Sequence, residues 1–341
     1  MDRRPRHLAG RGQVSIALER SAPAPGAVPP GAGAGRQVWR RVRRRPSALA
    51  AAAVLALLVL LALAAPLLSH LTGQDPGAYH DDLVDSARGG VPLGSFGGIS
   101  ADHWLGVEPG TGRDLFTRLL YGARISLLVA LGAVAVQTAV GVGVGLAAAL
   151  GGRFAGRLIG LTTDVMIALP MLVIGIALTA VVPPDFPRPL LLILLIGLFD
   201  WGGTARMVRA QTLALRGLDF VDAARLSGGG GTLRIARREL LPSLAAPVIT
   251  IAAIKVPTAM VAEASLSFLG VGVKPPTPSW GQMLSSAQTW FRADPAYVLL
   301  PAGLLFVTVL AFTVLGDAVR TALDPREGSR LRVGTGKESK A

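Results

Sequence analysis

Apolar residues run through this chain in long unbroken stretches, and most charges fall between them. Pro46 to Gln74, Ile125 to Gly152, Val165 to Pro184 and Pro295 to Gly316 contain no Asp, Glu, Lys or Arg. Each is long enough to cross a hydrocarbon core, which takes about 20 residues of helix. Two further stretches, Pro189 to Ala205 and Leu240 to Val273, are interrupted, the first by Asp200 and the second by Lys255 and Glu263. Hydropathy alone leaves those two undecided; the arginines decide them. Seven arginines from Arg206 to Arg238 lie around and between these stretches. With four spans they would face outward, against the positive-inside bias. With six, they join the eleven arginines before Pro46, Arg153, Arg157 and the basic tail from Arg320 to Lys340. The pattern predicts an all-α integral membrane protein with six transmembrane helices and both termini in the cytoplasm.

The same pattern divides the chain. Residues 1–45, rich in Arg, Pro, Gly and Ala, read as a disordered basic cytoplasmic tail. Residues 46–70 form the first transmembrane helix and 71–118 an acidic outer loop, too long for a simple turn. Residues 119–323 hold the other five helices, and 324–341 a second cytoplasmic tail. The first apolar run is preceded by too long a basic region, and is itself too extended, to be a cleaved signal peptide. In the second span Gly141 and Gly145 have the small-xxx-small spacing that lets helices approach closely.

Composition narrows the chemistry. The chain is 51% hydrophobic and carries a net charge of +13. Its basic residues flank the spans, so orientation explains them better than nucleic-acid binding does. With no cysteine there are no disulfides or thiolate-bound metals. Gly334-Thr335-Gly336-Lys337 lacks the spacing and preceding strand of a phosphate loop. His7, His70, His80 and His103 are scattered, and neither His-Glu-x-x-His nor Gly-x-Ser-x-Gly occurs. No enzyme, metal site or cofactor is expected. Charges inside spans are costly and call for a role, structural or substrate-contacting. These are Asp164, Asp200, Lys255 and Glu263. Lys255 and Glu263 stand about 12 Å apart on one helix, at ~1.5 Å per residue, and cannot pair without a bend or a third group.

One basic inner segment carries Asp222-Ala223-Ala224-Arg225-Leu226-Ser227-Gly228, with Pro242 beyond it. Asp219 can cap a short helix, and Asp222 in its first turn suits the positive dipole end. Phe220, Ala223, Ala224 and Ser227 fall near one face, where the alanines admit a close partner, and Gly228 is a natural terminator. This segment resembles the "EAA" loop of binding-protein-dependent ABC transporter permeases. The resemblance implies that a helix over 219–228 docks on a cytoplasmic ATPase, with Asp222, Ala223, Ala224, Gly228 and Pro242 as coupling residues.

Longer runs make the resemblance specific. His103-Trp104-Leu105-Gly106 and the stretch from Gly112-Arg113-Asp114 to Arg124-Ile125-Ser126-Leu127 look like the entry to the core of dipeptide and oligopeptide (nickel) importers. Ala262-Glu263-Ala264-Ser265-Leu266-Ser267-Phe268-Leu269-Gly270 and then Pro275-Pro276-Thr277-Pro278-Ser279-Trp280-Gly281 are similar to the same subfamily, as is Leu323-Asp324-Pro325-Arg326. The match runs from about Leu49 to Arg326. The extra span and long outer loop before the core point to its C-type inner-membrane subunit. The resemblance further implies a type I importer permease fold, a second permease subunit, two ATP-binding subunits, an extracytoplasmic substrate-binding protein and surrounding membrane lipid. Peptides are the solute it suggests, with nickel chelates, opines and sugars open. A membrane-embedded sensor or enzyme subunit is the alternative. Two departures sit in the docking segment: the run Gly228 to Gly231, and Glu239 where a histidine is common.

Overall fold

The computed structural model describes residues 39–94, 96–226 and 231–323, and within them helix dominates. Four unbroken stretches are long and apolar enough to span a membrane: Pro46–Thr72, Leu115–Leu150, Thr232–Phe268 and Pro295–Leu323. Two bent helix pairs, each counted as one crossing, bring the total to six. In chain order the helices are α1 (Pro46–Thr72), α2 (Leu115–Leu150), α3 (Gly152–Ala168), α4 (Met171–Val181), α5 (Arg188–Phe199), α6 (Gly202–Leu215), α7 (Asp219–Leu226) and α8 (Thr232–Ile235). After a π-turn over Ala236–Leu240 come α9 (Leu241–Phe268), α10 (Trp280–Ala287) and α11 (Pro295–Leu323).

The third and fourth spans are not single helices as the apolar pattern suggested. Between α3 and α4 the axis turns by 85°. Pro170 has no N–H to donate, and it forces the preceding Leu169 out of helical geometry, to ψ 126°. The 42° bend between α5 and α6 falls at Asp200-Trp201, just ahead of Gly202-Gly203.

α2 is the central post, packed on α1, α5, α6 and α9. Its glycines allow this. A Cβ at Gly141 would lie 2.6 Å from Thr204 Cβ, and one at Gly145 2.6 Å from the carbonyl of Ala205. The small-xxx-small face is therefore where α6 crosses α2, while Gly143, on another face, meets nothing within 4 Å. The main core gathers Leu119, Leu127 and Val134 of α2, Leu192 and Ile196 of α5, and Met260 and Leu266 of α9. α1 reaches it through Ala62 and otherwise packs on α11: Ala51 and Leu55 meet Ala311, and Ala48 meets Ala318 and Ala322.

At one end of the bundle, the segment from Gly73 to Asp114 forms a small irregular cap. Its hairpin pairs β1 (Val84–Asp85) antiparallel with β2 (Val91–Pro92), in the register Val84 to Pro92 and Asp85 to Val91. The helix after it begins at Leu115, ahead of the 119 boundary read from sequence, because Asp114 Oδ1 accepts the Thr117 N–H at 2.8 Å and starts it there. Of the tail read as disordered, residues 1–38 lie outside the described residues. Residues 39–42 are helical. Val42 is buried against Ala318 and Ala322, and Arg41 Nη1 donates to the Ala322 carbonyl at 3.0 Å.

Candidate functional site

At the end of the bundle opposite the cap, the loop between α6 and α9 forms the surface that the sequence singled out. α7 spans Asp219–Leu226 and is held by one residue that sequence analysis missed. Val221 is fully buried among Ile235 and Leu240, with Leu150 and Leu215 at the margin. The signal was a β-branched apolar residue directly ahead of the Asp222–Gly228 heptad. With Val221 inward, Asp222 and Ala223 are exposed and Ala224 is half-buried. Asp222 pairs with Arg225 one turn on, at 2.8 Å. Phe220 is also exposed; Leu226 is 89% exposed and Leu233 on α8 is 83% exposed. Gly228 lies outside the described residues, as does Ser227 of the same face. Pro242 stands apart from α7, exposed in the first turn of α9. The π-turn just before it is a wider turn, which accommodates a residue that cannot donate a backbone N–H.

At the cap end, the motifs that read as separate stretches of sequence converge. His103 Nδ1 and Asp114 Oδ2 are 3.0 Å apart, both buried. Gly106 and Gly112 have φ of 81° and 65°. A Cβ on either would collide with backbone, of Gly97 and His80 respectively. Glu108 is buried and pairs with Arg113 at 2.7 Å and Arg118 at 3.2 Å. Its other oxygen accepts from the Tyr297 hydroxyl on α11. Arg118 Nη1 donates to the carbonyls of Pro76 and Pro276, at 3.0 and 3.2 Å. One guanidinium thus joins the cap, the first turn of α2 and the proline-rich loop after α9.

That loop is locked by its tryptophan. Trp280 packs on Gly122, whose absent Cβ would stand 3.2 Å from the indole. Its backbone N–H donates to Ser126 Oγ at 3.2 Å. Ser126 Oγ donates in turn to Glu263 Oε2, and Ser267 Oγ to Oε1, each at 2.9 Å. Glu263 is fully buried. Hydroxyls on two helices and its own link to the Trp280 loop answer the question of why a carboxylate sits in this span.

The other charges inside the spans form cross-helix pairs. Lys255 does not pair with Glu263; its partner is Asp200, with Nζ 2.7 and 2.6 Å from the two carboxylate oxygens. Asp164 on α3 pairs with Arg206 on α6 at 2.6 Å. Sequence alone gave no partner for either, although opposite charges interrupting two spans were the signal. Among the described residues, no three His, Cys, Asp or Glu side chains come together to hold a metal ion.

These elements define a multi-pass α-helical membrane protein with a folded cap at one end and an exposed short helix at the other. Residues 139–328 match the family of binding-protein-dependent transport system inner membrane components, and residues 33–83 match the N-terminal transmembrane domain of oligopeptide transport permease C. The glutathione transport system permease protein GsiD of Escherichia coli O6:K15:H31 is 37% identical over 290 residues, covering 85% of this chain and 90% of that relative. The same figures hold for GsiD of Shigella boydii serotype 4, and GsiD of Escherichia coli O1:K1 is 36% identical over the same coverage. The chain belongs to the binding-protein-dependent transport system inner membrane component family: it is a permease subunit of an ABC importer and not an enzyme. It resides in the inner membrane and works with an ATPase and a substrate-binding protein.

Proposed function

We propose that this permease pairs with a second, different permease subunit, and that two ATP-binding subunits dock on the loop around α7. The observation that carries this reading is the way α7 is mounted. A single inward residue, Val221, seats the helix against Leu150 at the end of α2, Leu215 at the end of α6, Ile235 of α8 and Leu240 of the π-turn that leads into α9, leaving Phe220, Asp222 and Ala223 outward. A push on the exposed face would pass through Val221 to the ends of α2 and α6 and to the turn that leads into α9. Asp222, Ala223, Ala224, Gly228 and Pro242 are the coupling residues of this reading. The α7 end, with its arginines, is then cytoplasmic along with both termini, and the cap faces the extracytoplasmic binding protein. Domain limits follow: a cytoplasmic tail over 1–45, the first helix from 46, the outer cap, the five-span core and a tail from 324.

For the solute, the GsiD relatives favour glutathione or short peptides over nickel chelates, opines or sugars. The test is reconstitution of the complete transporter with its second permease, ATP-binding and substrate-binding subunits. Wild type is expected to take up glutathione or tripeptides with ATP. Ala223→Trp combined with Ala224→Trp is expected to leave membrane abundance intact while ATPase subunits fail to co-purify. Normal association and uptake by that double variant would remove the coupling assignment.

A further inference from the structure

Asp200 and Lys255 are opposite charges within the apolar spans that are neither fully buried nor free of each other. Lys255 stands midway along α9, about 20 Å from either end at ~1.5 Å per residue. Asp200 sits at the break between α5 and α6, where the helix ladder is interrupted. Gln137 of α2 is fully buried beside them. With its amide nitrogen turned toward Asp200, it donates to Oδ2 at 3.0 Å and to the Asp200 carbonyl at 3.2 Å. Two helices and the break between α5 and α6 thus contribute one cation, one amide and one anion to a single point.

Exposure gives this point its meaning. The Asp200 side chain keeps 36% of its surface and Lys255 keeps 20%. A pair made only to hold helices together is best enclosed, because partly exposed charge facing hydrocarbon is costly. Within a span, half-open charges are tolerated where they meet a water-filled cavity or another protein surface and not lipid. Broken helices are also where transporters place polar groups that meet their cargo. Glu263 makes the contrast: it is enclosed on all sides and bonded to hydroxyls, as a structural carboxylate should be.

We infer that Asp200 and Lys255 form a solute-contacting station in the translocation path, exchanging their mutual bond for the charged ends of a zwitterionic, peptide-like solute. Lys255 would meet the carboxylate and Asp200 the ammonium group, with Gln137 holding Asp200 in place. Because the pair closes on itself, the empty path presents no uncompensated charge. The solute class rests on the peptide reading above; the water-facing position does not.

Two measurements on the complete transporter separate these. The chain lacks cysteine, so Lys255→Cys gives it a single thiol. That thiol is expected to react with a charged methanethiosulfonate reagent in one nucleotide state of the transporter and to be shielded in the other. Absence of reaction in every state overturns the proposal, whatever is transported. For the solute, uptake of glutathione and of its glycine carboxamide is compared in wild type, Lys255→Met and Lys255→Arg. The wild-type preference for the free carboxylate is expected to shrink in Lys255→Met by on the order of ten- to a hundredfold, the worth of a charged hydrogen bond, and to return largely in Lys255→Arg. A charge-swapped variant, Asp200→Lys with Lys255→Asp, that transports both solutes as wild type does would show a merely structural pair and overturn the station. Failure of the wild type to take up either solute would instead sink the peptide reading, while the labelling still decides the position.

Discussion

Trp280 Nε1 donates to the backbone carbonyl of Leu119 at 3.1 Å, joining residues 161 positions apart in the chain. The bond pins the loop after α9 to the second turn of α2, at the end of the bundle where the cap sits. Replacing Trp280 by Ala would delete a fully buried indole and remove this cross-chain bond. A loss of about 3–5 kcal/mol is expected, read as a lower melting temperature of the purified transporter. An unchanged melting temperature would show that the loop is not held by this residue.

The Glu108 knot gives a different kind of test. Glu108→Gln leaves Arg113 and Arg118 buried without their counter-charge, and Arg118→Met leaves Glu108 short of one partner. Breaking a buried pair on one side costs about 3–5 kcal/mol. If the two act as one unit, the double variant will lose much less than the sum of the singles. Additive losses in denaturant titrations would mean that the two side chains act independently.

Glu263 is expected to tolerate Gln and not Leu. The Ser126 and Ser267 hydroxyls can rotate to suit an amide, but an isobutyl group leaves both without an acceptor. The cost for Leu is about 1–3 kcal/mol. Equal stability of the two variants in thermal unfolding would contradict a hydrogen-bonding role.

Sidedness can be read by thiol labelling in intact cells, again on the natural cysteine-free chain. Ser86→Cys, in the cap hairpin, should react with an impermeant maleimide added outside, and Arg216→Cys should react only after permeabilisation. The reverse pattern would invert the topology.

Much of the fold was legible because lipid imposes a coarse code: length, apolarity and arginine placement locate helices without any knowledge of packing. The Gly141 and Gly145 pair was legible for a similar local reason. Pro170 was in plain view, yet a proline can be absorbed by a kink or can end a helix, and only its surroundings decide which. The pairing of Lys255 with Asp200 was illegible because it depends on how α5 breaks and where α9 crosses it. Val221 was overlooked because eight residues of helix have two plausible faces, and the inward one is fixed by Ile235 and Leu240, well beyond the heptad. The cap knot needed Tyr297 to come back beside Glu108, a contact that no local pattern encodes.

The turn at Pro170 has a consequence for how the chain yields under load. Across α3 and α4 only Gly156, Thr163 and Gly175 are buried within the subunit. These two short rods meet at 85° over a residue that cannot complete the helix ladder, and are held mainly by half-buried contacts such as Met171, Ile174 and Leu178 and by the Asp164–Arg206 pair. Amide exchange should therefore open this arm at a lower free energy than α2 or α9, the long helices of the core. A rigid frame with one loosely tethered limb is a lever and its stop, produced by one imino acid in an otherwise continuous run of oil-loving residues.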